Sequence, residues 1–85
     1  MGKQEKLRSR LLSKPKDFTW DELTSLLIHF EFELLKGNGS RRKFVHNATK
    51  TIINLHEPHP DKVLKRYVIV QVITKLVEME LINHE

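Results

Sequence analysis

The chain has 85 residues, room for one small domain and no second one. A chain this short hides only about 60–65% of the surface its unfolded form exposes, so its core must be thin. Fifteen Lys and Arg against eleven Asp and Glu leave a formal charge of +4, and 39% hydrophobic with 31% charged residues is a globular composition rather than a disordered one. The absence of cysteine excludes a disulfide framework and a zinc–thiolate site, and it fits the reducing cytoplasm expected for this protein. Apolar runs are only a few residues long, so no membrane span is expected, and Met1-Gly2-Lys3-Gln4-Glu5-Lys6 has no signal-peptide core behind it.

Charge is banded along the chain. Residues 1–16 carry six basic side chains, Lys3, Lys6, Arg8, Arg10, Lys14 and Lys16, against Glu5 alone. Residues 17–33 hold five acids and neither Lys nor Arg, and residues 36–50 hold five bases and no acid. Such bands are often only solvated faces, but they also mark where a polyanion would be met.

In chain order, residues 5–13 predict a short helix with Leu7, Leu11 and Leu12 on one side, ended ahead of Pro15. A helix so short is stable only if it docks. Thr19-Trp20-Asp21-Glu22 is a capping box, and Phe18 and Leu23 occupy the positions of a hydrophobic staple. Leu23, Leu26, Leu27 and Phe30 then follow at helical spacing, which predicts a helix over about 20–30. Trp20 and Phe18 are expected in the core rather than as base-stacking platforms.

Phe32-Glu33-Leu34-Leu35-Lys36 and Ser40-Arg41-Arg42-Lys43-Phe44-Val45-His46 flank Gly37-Asn38-Gly39, where Asn-Gly is expected to supply the positive φ angles of a tight hairpin. A third strand is expected over Thr51–His56, and Glu57-Pro58-His59-Pro60 must be loop. From Asp61 onward neither Gly nor Pro occurs. Ile69, Val72, Ile73 and Leu76 repeat at helical spacing, predicting a helix over about 61–81 with Asp61 near its N-cap. His29 and His84 fall on helices and are not site candidates. The order is a short helix followed by α-β-β-β-α: an α+β domain with a three-stranded antiparallel sheet packed on two helices.

Strand alternation sorts the side chains. With Phe44 toward the helices, Arg42 and His46 share its face, while Arg41, Lys43, Asn54 and His56 lie on the open face. Val45 and Ile52 also favour burial, so the inverted register remains open.

Gly37-Asn38-Gly39-Ser40-Arg41-Arg42-Lys43-Phe44, Leu55-His56-Glu57-Pro58-His59-Pro60 and Leu64-Lys65 together resemble the HicA toxins of toxin–antitoxin pairs. The resemblance covers residues 18–82, with residues 1–17 a basic N-terminal segment. It implies a fold like the double-stranded-RNA-binding domain, ribosome-independent cleavage of mRNA, and a HicB-like antitoxin as protein partner. No cofactor is expected. The usual family motif is Gly-Ser-His with a catalytic histidine, whereas this chain has Arg41 at that place.

Cleavage of RNA by its own 2′-OH needs a base, an acid for the leaving 5′-oxygen, and positive charge on the transition state. Arginine cannot be the base at its pKa above about 12, although it can clamp a phosphate bidentately. The proton transfers therefore fall to His56 or His59, with His46 a weaker candidate. Arg41, Arg42 and Lys43 are expected on RNA phosphates. Lys62, Lys65 and Arg66 open the last helix, the phosphate-contacting end of the double-stranded-RNA-binding fold, and are expected to bind RNA too.

No metal is expected, because His56 and His59 lack a third ligand and Pro58 separates them. The Gly-rich stretch leads into a strand and lacks the lysine–serine ending of a phosphate loop. Two other functions fit the same scaffold: a non-catalytic RNA-binding module, and a protein acting mainly through its antitoxin partner.

Overall fold

A computed structural model describes residues 3–82 of the chain. Helix α1 spans Lys3–Leu12 and buries Leu7 and Leu11, one turn apart, against the rest of the protein. It stops at Ser13, whose hydroxyl donates to the Arg10 carbonyl (2.7 Å), and Lys14 then turns the chain with φ of 52°. Helix α2, Trp20–His29, starts on a complete capping box: the Glu22 amide donates to Thr19 Oγ1 (3.2 Å) and the Thr19 amide to Glu22 Oε1 (3.0 Å). Three members of the expected stripe, Leu23, Leu26 and Leu27, are fully buried, while the fourth, Phe30, is the C-cap just past the helix and packs half-buried against the core. Phe18 and Trp20 lie in the core as well, the Trp20 ring tilted against Phe44 at 5.6 Å between centroids.

Strands β1 (Phe32–Lys36), β2 (Arg41–His46) and β3 (Ile52–His56) form an antiparallel sheet in the order β1-β2-β3. Phe44, Ile53 and Leu55 are buried and Ile52 is exposed, which decides the register. Phe44 pairs with Ile53 on the inner face, so Lys43 with Asn54 and Arg41 with His56 must project from the other. The inverted register would have removed the Phe44–Trp20 contact and placed Arg41 and Lys43 in the core.

The β1–β2 hairpin differs in detail from expectation. Arg41 donates its amide to the Asn38 carbonyl (3.1 Å), so Gly39 and Ser40 are the central turn residues. Of these only Gly39 has a left-handed φ, +60°, and Asn38 has none: the signature is that of a type II′ turn. At the far end of the sheet His46 is buried, edge-on to Phe32, and its Nδ1 accepts from the Thr49 amide (3.3 Å). That is a structural role and takes His46 out of the acid–base candidates.

The last helix begins later than expected. Residues 61–65 are not helical, with only Val63 bridged to Thr19, and Asp61 is not the N-cap of the helix. The Trp20 amide donates to the Lys62 carbonyl and the Leu64 amide to the Phe18 carbonyl, both at 2.8 Å. Leu64 is thereby seated in the core. Asp61 instead accepts from the Val63 amide (3.3 Å) in a local turn. Pairing with a remote segment of the same chain, which satisfies backbone groups and buries a leucine, outweighs the local helical preference of this stretch. Helix α3 runs Arg66–Glu78 from N-cap Lys65 and buries Ile69, Val72, Ile73 and Leu76 as predicted. It ends three residues short of the predicted 81 in a Schellman arrangement: Glu80 donates to the Val77 carbonyl and Leu81 to the Leu76 carbonyl, with Glu80 at φ of 60°. His84 lies outside the described residues.

Candidate nucleic-acid interface

Helices α2 and α3 pack against the sheet at β1 and β3 and α1 packs on those two helices, leaving the outer face open. At the hairpin end that face presents Arg41 and Lys43 from β2 and Asn54 and His56 from β3, all exposed. Lys43 stands between Leu35 of β1 and Asn54 of β3, and Arg41 stands directly opposite His56. A shallow depression of about 480 Å³ is lined by Gly37, Asn38, Arg41, Arg42, Lys43 and Asn54. Among the described residues neither cation is ion-paired, and Glu33, an acid of the same face, lies farther along β1 opposite Val45, so the hairpin end is suited to a polyanion.

His56 is oriented by the turn. Its Nδ1 lies 3.1 Å from Ser40 Oγ, a pair that the close pairing of β2 and β3 brings together. The Glu57 amide donates to the Ser40 carbonyl (2.8 Å) and extends that pairing one residue beyond the strands. With Nδ1 engaged, Nε2 is the imidazole nitrogen left to face a ligand.

On the other side of the turn, Gly39, Ser40, Arg42, Glu57, His59 and Lys62 line a cleft of about 340 Å³. Its centre is the Glu57 carboxylate. Arg42 Nε donates to one oxygen (3.0 Å) and Lys62 Nζ to the other. The hydrogen bond from Lys62, and then the charges of Lys62 and Arg42, hold this carboxyl below its ordinary value against the opposing effect of burial. Arg42 also donates to the carbonyls of Gly39 (2.9 Å) and Arg41 (2.7 Å).

The six cations and two histidines singled out from the sequence thus fall into three places. Arg41, Lys43 and His56 share the open face. Arg42, Lys62 and His59 share the cleft, with Arg42 and Lys62 turned onto Glu57. Lys65 and Arg66 are exposed at the start of α3 and line neither cavity. Ser40 touches both groups, as His56's partner and as part of the cleft wall. Ser40 and Glu57 were not among the candidates drawn from the sequence. For Glu57 a signal existed: it is the one acid inside the His-Pro segment, placed between two histidines. Among the described residues no three His, Asp or Glu side chains cluster as metal ligands would.

The hairpin, the His-Pro segment, α2 and most of α3 fall within one match to a known family. The model of the HicA toxin of bacterial toxin–antitoxin systems matches residues 20–76, from the first residue of α2 to near the end of α3. No curated protein and no solved structure gives a significant match. The match spans more than half of the chain and includes every residue on either side of the turn, and the α-β-β-β-α order is the double-stranded-RNA-binding-like order expected of such toxins. On these grounds the chain belongs to the HicA family of toxin–antitoxin toxins.

Proposed function

We propose that this protein is the toxin of a type II pair, acting in the cytoplasm by binding and cleaving mRNA and held in check by a HicB-like antitoxin. The observation that carries the reading is the Ser40–His56 contact beside Arg41 on an open basic face. In this mechanism a phosphodiester lies across that face, with Arg41 and Lys43 on its non-bridging oxygens. His56 Nε2 takes the proton from the ribose 2′-OH as the 2′-oxygen attacks phosphorus. The bond from phosphorus to the 5′-oxygen breaks, and a protonated His59 on the far side of the turn supplies the proton to that oxygen. The products are a 2′,3′-cyclic phosphate and a 5′-hydroxyl. The cations stabilise the charge that builds on the phosphorane-like transition state. Lys65 and Arg66, at the start of α3, extend the RNA track. The antitoxin would cover the basic open face and so compete with RNA.

Arg41 standing where the family's histidine usually stands favours a second reading, a non-catalytic RNA-binding module on the same scaffold. Cleavage of a labelled RNA by the purified protein separates the two. The nuclease reading expects His56→Ala to slow cleavage about 10²–10⁴-fold while RNA binding persists. Cleavage by Arg41→His but not by the unaltered protein would establish the binding module instead. Cleavage unaffected by both His56→Ala and His59→Ala would remove these histidines from the mechanism.

A further inference from the structure

The contact between Ser40 and His56 joins two exposed side chains. A hydrogen bond in that setting competes with water and does not hold a catalytic geometry by itself. Its persistence depends on the backbone around Ser40, and that backbone is gripped from one direction. Arg42 donates to the carbonyls of Gly39 and Arg41, the residues immediately before and after Ser40. The same guanidinium donates through Nε to the carboxylate of Glu57, the residue immediately after His56. The Glu57 amide meanwhile holds the carbonyl of Ser40 itself. Three consecutive carbonyls of the turn are therefore tied, directly or through one guanidinium, to the residue next to His56. The side chains of Arg42 and Glu57 are only 15% and 20% exposed, so this charge-assisted pair is shielded where the Ser40–His56 bond is not.

We propose that Arg42 and Glu57 are positioning residues that fix Ser40 against His56, and that Arg42, unlike Arg41 and Lys43, does not bind RNA phosphate. This rests on the nuclease reading only for its catalytic consequence. An arginine already using Nε and a terminal nitrogen on the protein has lost the bidentate fork that grips a phosphate. Arg41 and Lys43 alternate with it along β2 and point to the opposite face. One basic run in the sequence is thus divided by strand periodicity into a ligand-facing pair and an internal clamp.

The test uses the full chain, with its fold checked by amide spectral dispersion. The first measurement is the nitrogen-15 NMR signal of the His56 ring without RNA. Glu57→Gln is expected to shift the Nδ1 resonance toward that of a solvent-exposed histidine, as Ser40→Ala does, while the His29 resonances stay in place. The second is the salt dependence of binding to a single-stranded oligoribonucleotide. Arg41→Ala should lower the log–log slope by about 0.7, and Arg42→Ala should leave it unchanged. If Arg42→Ala does not fold, Arg42→Lys keeps the charge without the fork and should shift the His56 signal with the slope intact. In turnover, Glu57→Gln should lower kcat at least tenfold with little change in KM. An unmoved His56 signal in Glu57→Gln, or an Arg42 variant that flattens the slope as Arg41→Ala does, overturns the proposal. The first two measurements need no cleavage, so a protein that never cuts RNA defeats the nuclease reading and still decides this one.

Discussion

Arg10 and Glu22 meet through two hydrogen bonds, from Arg10 Nε to Oε2 (3.0 Å) and from a terminal nitrogen to Oε1 (3.2 Å). Glu22 Oε1 is also the oxygen that accepts the Thr19 amide in the capping box. The helix start of α2 and the docking of α1 therefore share one carboxylate. Arg10 also reaches Asp17 and lies 5.6 Å above the Phe18 ring. One of the six bases in the N-terminal band thus fastens α1 to α2 and is not part of a free basic arm.

This arrangement makes α1 dependent on Arg10. Arg10→Ala should lower the urea midpoint and expose the 13–17 connection to trypsin before the rest of the chain is cut. Thr19→Ala should cost about 0.5–2 kcal/mol through the lost N-cap. Equal proteolysis of the parent and Arg10→Ala would show that Leu7 and Leu11 alone dock the helix.

The open face should govern salt sensitivity. Replacing Arg41 and Lys43 together by Ala should flatten the log–log salt slope of RNA binding by roughly 1.4–1.8, the sum of two phosphate contacts. Replacing Lys65 and Arg66 measures separately whether the start of α3 lies on the same track. An unchanged slope in the Arg41–Lys43 double variant would move the binding site off the sheet.

Backbone conformation can be tested without RNA. Glu31 (φ 69°) and Glu80 (φ 60°) take left-handed conformations just past the ends of α2 and α3, and both are exposed. A side chain there costs roughly 1–2 kcal/mol, and glycine's extra freedom in the unfolded chain gives back part of the gain. Glu31→Gly and Glu80→Gly should each stabilise by about 0.5–1 kcal/mol in denaturant melts. Gly39→Val should destabilise, because a β-branched residue is strained at φ of +60°. A neutral Gly39→Val would mean that the turn is not type II′.

Acid should weaken the fold through two carboxylates. Burial raises the Glu22 pKa, but hydrogen bonds from Arg10 and Thr19 outweigh it and leave the group below its ordinary 4.5. Glu57 is lowered too, first by the Lys62 hydrogen bond. Because both folded-state values are depressed, their contribution is fully present above about 4.5 and is lost as pH falls through the folded values. Melting temperature should therefore fall as pH is lowered from 5 to 3, and Glu22→Gln with Glu57→Gln should make that decline shallower. An identical decline in the double variant would assign the acid sensitivity to other carboxylates.

Where a residue pattern contains its own partners, the sequence alone was sufficient. Thr19 and Glu22 are three positions apart and complete each other's hydrogen bonds, so the start of α2 was legible to the residue. The stripe Ile69, Val72, Ile73, Leu76 determined which side of α3 is buried, and strand alternation placed Arg41, Lys43, Asn54 and His56 on one face once Phe44 was turned inward. The Gly-rich turn and the His-Pro segment carried the family. Tertiary structure decided whatever depended on partners remote in the chain. The Lys62 carbonyl found the Trp20 amide, so residues 61–65 stayed out of the helix. Arg42 found Glu57, and Arg10 found Glu22, so two cations that looked free in the sequence are paired within the protein. Ser40 found His56, which no spacing rule predicts. Local patterns reveal hydrogen bonds closed within a turn or two, but the partner of a long charged side chain is set by how separate segments pack, and that is settled only in three dimensions.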